Sequence, residues 1–284
     1  MKVPRVLILG ANGLIGSSFF KYFRMKDNLN VFGTVRILNS TFHESIIGGV
    51  DFLNTEESLN VISEIAPSVL INCVGITKHS INYKKIAEVS FINSIFPHLL
   101  SDFSKVQNFK LIHISSDCVF SGERGNYSEL DYPDSNDLYG KSKFLGELDG
   151  RNGSITIRTS TIGHEKLTKY GLLEWFLSQN TSCKGFSKAF FSGLTTLELA
   201  DIIYKYFIFD DSVYGLYNLA GPKINKFDLL KIIARVYLKD IEIQKDQTFC
   251  IDRSLNANKF NNKFGYFSKN WDLMIKEMKE DAIL

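Results

Sequence analysis

The first half of the chain alternates between two hydrophobic rhythms. Short runs of consecutive Val, Ile and Leu are separated by longer stretches in which apolar residues recur every three or four positions. Arg5–Leu9 reads as a buried strand, and 14–25 as a helix with Phe19, Phe20 and Phe23 turned inward. Further strands are predicted over 31–35, 46–50, 69–74, 110–115 and 154–159. Between them, 56–65 predicts a helix stopped by Pro67, 83–106 a long helix with Pro97 as a kink or boundary, and 138–148 another helix. After about Gly163 the rhythm changes. Helices are predicted over 172–178, 197–209 and 227–237, and a strand over 213–219; the tail, 255–278, is aromatic and basic without a clear period.

Strands alternating with helices predict an α/β fold built on a parallel sheet. Gly10-Ala-Asn-Gly-Leu-Ile-Gly16 sits where the first predicted strand gives way to the first helix. In that context the first glycine permits a tight turn, the second lets backbone N–H groups approach a pyrophosphate, and the third allows close helix–strand packing. The fold class expected is therefore a Rossmann-type doubly wound parallel sheet with a smaller C-terminal α/β substrate-binding region. Residues 1–162 would form the NAD(P)-binding domain. Residues 163–284 would mainly bind substrate, with segments returning to the first domain.

Composition narrows the function classes. With 33 basic and 31 acidic residues the net charge is +2, which gives no reason to expect nucleic acid or a membrane surface as partner. No apolar run reaches the ~18 residues of a membrane span, and the apolar start is too short for a secretory leader. Cys73, Cys118, Cys183 and Cys250 are scattered, with neither zinc-site nor disulfide spacing. A reduced, cytoplasmic protein is expected, and no metal. The 23 Phe and 12 Tyr suit a core or a homodimer interface.

The candidate chemistry lies in three places. Ser116 ends the fifth strand, and Tyr139 and Lys143 are four apart, on one face of a helix. Ketone reduction needs a hydride donor and a proton donor aimed at the carbonyl oxygen. A lysine ammonium near a tyrosine favours the phenolate and lowers its pKa, and Ser116 can hold the oxygen in line. Behind the glycine turn, this trio points to a nicotinamide-dependent enzyme. Asn12, Leu14 and Ile15 share the turn. Arg36, at the end of the second strand, suits a 2′-phosphate, so NADPH is favoured, with NADH the alternative.

Ser115-Ser116-Asp117-Cys118-Val119-Phe120-Ser121-Gly122 closely resembles the Ser-Thr-Asp-Tyr-Val-Phe-x-Gly segment of the dTDP-4-dehydrorhamnose reductase family, within the extended short-chain dehydrogenase/reductase superfamily. Tyr127-Ser-Glu129, Tyr139-Gly-Lys-Ser-Lys143, 157–160 and Gly193-Leu-Thr-Thr196 extend the likeness. The resemblance implies reduction of the 4-keto group of a nucleotide-activated 6-deoxysugar. It implies that Asp51 and Phe52 contact adenine, and that Cys73, Val74 and Gly75 lie beside the diphosphate and ribose. Asn93 resembles the Asn of the superfamily's central helix. Ser116 and Asp117 would contact the sugar, Thr161 stands where the family often has Trp, and His79 lies in a loop near the site. Arg253 would meet a diphosphate, with Trp271 also lining the pocket. Cys118 and His164 stand where a GDP-fucose-synthase-like epimerase–reductase has its cysteine and histidine; the alternative is that Cys118 is a small buried residue in the family's Tyr position. A dehydratase would carry a second acid where Cys118 stands. A non-catalytic cofactor-binding subunit, known in one relative, is the rival from another class.

Overall fold

The computed structural model describes residues 3–38, 43–78, 85–148, 153–165 and 169–283. Seven strands form one parallel sheet: β1 (Arg5–Leu9), β2 (Asn30–Thr34), β3 (Ile46–Ile47), β4 (Val69–Asn72), β5 (Lys110–Ile114), β6 (Ser154–Arg158) and, from later in the chain, β10 (Gly215–Asn218). Their order is β3-β2-β1-β4-β5-β6-β10. This is the doubly wound arrangement in which the chain reverses direction beside β1 and leaves a crevice at the carboxyl ends of β1 and β4. Every residue of β4, β5 and β6 is buried, as expected of strands covered on both faces.

Two apolar layers do the covering. Phe19, Phe20 and Phe23 of α1 (Leu14–Arg24) pack on one face with Leu199, Ile202 and Ile203 of α7 (Thr196–Tyr206). Ile62 of α2 (Thr55–Ile65) and Phe96 and Leu100 of α4 (Phe96–Gln107) pack on the other. Helix α2 starts at Asn54, whose side chain accepts the Glu57 N–H, and ends at left-handed Ala66 just before Pro67. The long helix expected to kink or end at Pro97 is α3 (Ile86–Ser90), a π-helical turn over Phe91–Ile95, and then α4, with Pro97 in the first turn of α4 directly after the π-helical turn.

The remaining chain adds α5 (Leu138–Leu145), the short β7 (Thr161–Ile162) paired with β9 (Leu194–Thr195), and α6 (Leu172–Leu177). A second sheet, in the order β11-β8-β12, joins β8 (Ser182–Phe191), β11 (Ile224–Asn225) and β12 (Glu242–Asp252). Helices α8 (Lys226–Tyr237), α9 (Asn258–Phe264) and α10 (Trp271–Ile283) complete the molecule. The Tyr127-Ser-Glu129 segment clamps the two halves together. Tyr127 stacks on Phe120 with centroids 4.1 Å apart, its carbonyl accepts from Asn218 Nδ2, and Glu129 accepts the Asn218 N–H at 2.8 Å.

Candidate active site

Gly10 takes a left-handed φ of +78°, and its carbonyl oxygen lies so close to Gly16 that a Cβ there would strike it. Gly16 therefore sets how tightly α1 docks on the turn. Gly13 is the N-cap of α1, and no side chain caps that end. The first-turn N–H groups and the positive end of the helix dipole thus face the crevice. The Ala11 N–H donates to Thr34 O at 2.9 Å, tying the turn to the end of β2.

A cavity of about 350 Å³ opens over this turn. Gly13, Leu14 and Ile15 form one side, Cys73, Val74 and Gly75 another, and Ser116, Tyr139 and Lys143 the far wall. The loop after β4 is held by Asn93 from the π-helical turn. Its Oδ1 accepts the Ile76 N–H at 2.8 Å, and its Nδ2 donates to Ile76 O and to Ser142 Oγ of α5, each at 3.0 Å. Lys78 pairs with Asp137 at 2.7 Å, and Asp137 caps α5 through the Gly140 N–H. A π-helical turn at a site is a recurring device for re-aiming one side chain; here it aims Asn93.

Ser116 caps the short 3₁₀ turn over Asp117–Val119, accepting the Cys118 N–H at 3.1 Å. Its hydroxyl also hydrogen-bonds Tyr139. Burial pushes the Tyr139 phenol above its ordinary pKa, Cys118 and Asp117 add to this, and the Ser116 hydrogen bond opposes it. The phenol lowered by a lysine, expected from the sequence, is thus not what the protein groups alone produce. Lys143 Nζ is directed to Ile114 O at 2.8 Å, and burial brings its own pKa down to about 8.

A second cavity, of about 770 Å³, adjoins the first; Gly13, Leu14, Asp117, Cys118 and Thr161 face both. Asp117 is buried and its carboxyl is pushed up by desolvation, with Arg253 opposing. Arg253 donates to Phe120 O at 3.0 Å and to Cys118 Sγ at 3.5 Å. Lys226, in the first turn of α8, faces the same space. Beyond these cations the wall is aromatic, with Trp175, Phe190 and Phe249.

The geometry does not gather every candidate. Asn12 lines the large cavity, while Gly16 lies behind the turn. Arg36 and Asp51 are exposed beyond the ends of β2 and β3 and line neither cavity. Phe52 faces the core, with its ring 5.4 Å from that of Phe96, because an apolar ring behind β3 gains more from burial than at the open edge. Trp271 is likewise core: its indole donates to Pro222 O, and its ring packs on Phe191. His79 lies outside the described residues. His164 is separated from Cys118. Its Nδ1 meets Glu174 at 2.7 Å and its Nε2 meets Tyr237 at 2.8 Å, and it lines a different cavity beside Lys21. Burial holds the Cys118 thiol up at about 12, so it is not a thiolate. The paired proton exchange of the rival epimerase–reductase reading therefore has no shared site. The sequence reading missed Lys226, Trp175, Phe190 and Phe249. The one local signal was Asn225 as an N-cap directly before Lys226.

The model of the RmlD substrate binding domain matches residues 4–174. The chain belongs to the RmlD family. This is the dTDP-4-dehydrorhamnose reductase family that the motifs imply. Among curated relatives, the methionine adenosyltransferase 2 subunit beta of Mus musculus is 30% identical over 158 residues, covering 54% of this chain and 46% of the relative. A probable low-salt glycan biosynthesis reductase of Haloferax volcanii is 30% identical over 141 residues, 49% of this chain and 46% of that protein. The chain thus spans about half the length of the curated relatives it matches. A dTDP-4-dehydrorhamnose reductase from Bacillus anthracis, solved in complex with NADP, has a TM-score of 0.80 at 21% identity, covering 99% of each chain. That likeness is one of fold. Among the described residues, no helix is long and apolar enough to cross a membrane.

Proposed function

We propose that this chain reduces the 4-keto group of a nucleotide-activated 6-deoxysugar with NADPH, NADH being the alternative donor. The observation that carries the reading is the meeting of Ser116, Tyr139 and Lys143 on a glycine-turn cavity that opens into a cationic and aromatic one. The residues suit a dinucleotide. The uncapped start of α1 offers N–H groups to a diphosphate, the absent side chain of Gly75 leaves room 3.9 Å from Lys143 Nζ, and Arg36 follows β2 as a partner for a 2′-phosphate. The bound nicotinamide supplies hydride. Tyr139, kept protonated by its surroundings, donates the proton to the ketone oxygen. Ser116 steadies that hydroxyl, and Asp117 orients sugar hydroxyls. Arg253 and Lys226 hold the diphosphate and the aromatic wall receives the base, so residues 163–284 supply much of the substrate side. Together these groups stabilise the charge that develops on oxygen as hydride arrives.

The test is to mix purified protein and NADPH with a panel of 4-keto-6-deoxy sugar nucleotides, following loss of NADPH absorbance and product stereochemistry by NMR. Turnover on at least one member is expected. A second reading draws on the curated relatives that are subunits of methionine adenosyltransferase: a cofactor-binding protein without turnover. Saturable NADPH binding with no oxidation on any substrate in the panel would favour it.

A further inference from the structure

Three buried side chains from neighbouring elements meet beneath the small cavity, and none of them is the proton donor to the ketone. Asn72 ends β4, His113 lies within β5, and Lys143 lies on α5; the first two are fully buried and Lys143 is 4% exposed. Asn72 Oδ1 accepts the Val74 N–H at 3.1 Å, and the amide nitrogen of the same side chain lies 3.1 Å from His113 Nδ1. Turning the amide over would set two donors against each other at Val74, so its orientation is fixed. His113 Nδ1 then receives an N–H and must carry the lone pair. Burial, and after it the neighbouring Lys143, hold the His113 pKa well below its ordinary value, so the ring is neutral. A neutral imidazole has one N–H, and here it is on Nε2, 3.5 Å from Lys143 Nζ.

We propose that Asn72 locks His113 in the Nε2–H tautomer, and that His113 acts as a positioning residue that turns this N–H toward the Lys143 amine and loosens the ammonium's hold on its proton. An imidazole lone pair in that place would stabilise the ammonium; an N–H does not. The other groups facing Lys143 are Cys73 from the loop after β4 and Glu147 just beyond α5, and His98 on α4 faces His113; Tyr139, one turn earlier on α5, lines the same cavity. Glu147 is engaged by Arg158 and Ser115. Burial puts Lys143 at about 8 and raises Tyr139. A proton passing from the Lys143 ammonium to the phenolate left after ketone protonation therefore runs downhill, giving phenol and neutral amine, and the amine regains its proton from water. That purpose rests on the reductase reading; the tautomer and its effect on Lys143 do not.

The test needs no substrate. NMR of protein labelled with 15N-histidine reads the tautomer, and NMR of protein labelled with 15N-lysine reads the Lys143 titration. In the unaltered protein His113 should carry its proton on Nε2; a proton on Nδ1 overturns the proposal. Asn72→Asp keeps the acceptor for Val74 N–H but draws the His113 proton to Nδ1. The Lys143 ammonium should then hold its proton at least about tenfold more tightly. His113→Leu in the same background separates tautomer from added charge. If Asn72→Asp tightens Lys143 equally without His113, the effect is plain charge and the proposal fails; if the shift shrinks, it stands. Should Asn72→Asp not fold, the tautomer of the unaltered protein still decides.

Discussion

Replacing Tyr139 with Phe removes one oxygen and keeps a ring of nearly the same shape. The Ser116 hydrogen bond is lost, while the capping of α5 by Asp137 is untouched. A positioned general acid is worth roughly 10²- to 10⁴-fold in rate, so Tyr139→Phe should lower kcat/KM by that much, with NADPH affinity within about threefold of the original, as read by fluorescence titration. The pH profile follows from the neighbours. The folded pKa of Lys143 lies below its ordinary value, so its ammonium is present below pH 8 and disappears as pH rises through about 8, whereas the raised Tyr139 phenol keeps its proton across that range. The expected result is a kcat/KM that falls on the alkaline side near pH 8 and a limb there that is absent from a Lys143→Met variant's residual rate. Cys118 bears on a different question. As a thiol held at about 12 beside Arg253, it should be replaceable by Ser with reduction retained and no change in deuterium incorporation α to the ketone; loss of incorporation would revive the epimerase reading. At this scale the sequence was a good guide to which side chains meet, because Ser116, Tyr139 and Lys143 sit at element ends or on one helix face whose spacing is visible in the chain. It was a poor guide to protonation, because burial dominates the shifts of Tyr139, Lys143 and Cys118, and burial is set by distant segments.

The glycine turn and the π-helical turn each make a claim about an element. A methyl group at Gly13 would meet only Gly10 O, at an ordinary 3.5 Å, and the backbone φ there is −77°, which any residue adopts. A methyl group at Gly16 would be driven into the Gly10 carbonyl. Gly13→Ala should therefore melt near the parent temperature yet bind NADPH at least about tenfold more weakly, since the methyl group projects toward the crevice. Gly16→Ala should lose stability by about 2 kcal/mol or more, since overpacking against fixed backbone costs roughly 1–3 kcal/mol. Comparable cofactor loss in both variants with unchanged melting would contradict the packing role of Gly16. Asn93→Ala strips the partners from both half-buried Ile76 backbone groups, while Ser142 Oγ loses one partner and keeps its bond to Tyr139 O. Groups left unpaired cost about 1–3 kcal/mol each when buried, so a drop of about 2 kcal/mol in chemical denaturation is expected. Strands β1, β4, β5 and β6 were legible as near-continuous apolar runs because both faces are covered. Strand β8 escaped notice although Cys183, Gly185, Ala189 and Phe191 alternate inward against exposed Lys184 and Lys188; its buried positions include Gly and Ala, which weaken a period-two signal. Strand β12 has no buried residue at all, so it offered no hydrophobic rhythm to read.

Taken as one molecule, the protein builds its site from pieces that lie far apart in the chain. The small cavity comes from the carboxyl ends of β1, β4 and β5 together with α5, all in the half where βα alternation is visible. The large cavity joins Thr161 of β7, Trp175 of α6, Phe190 of β8, Phe249 of β12, Arg253 just after it and Lys226 at the start of α8, residues that share no local motif. That explains why Arg253 could be singled out only as a guanidinium suited to a diphosphate and Lys226 not at all. The two cations also divide the labour. Arg253 is tied to Phe120 O and Cys118 Sγ, so its loss would disturb the wall itself. Lys226 is half-buried in the first turn of α8, and its pKa is lowered by burial, with Asp117 opposing. Lys226→Met keeps most of the stem and removes only the charge. If this space receives the diphosphate of a nucleotide sugar, one charge-assisted hydrogen bond worth about 1.5–3 kcal/mol disappears, which predicts a KM raised by roughly 10- to 100-fold. Because that contact is the same in ground and transition states, kcat should stay close to the parent value, and the NADPH dissociation constant should not move. The KM of the parent should also rise more steeply with added salt than that of the variant, since only the parent has the charge to screen. A variant that loses NADPH affinity while its KM for the sugar nucleotide is unchanged would place the dinucleotide, and not the substrate, in the larger cavity.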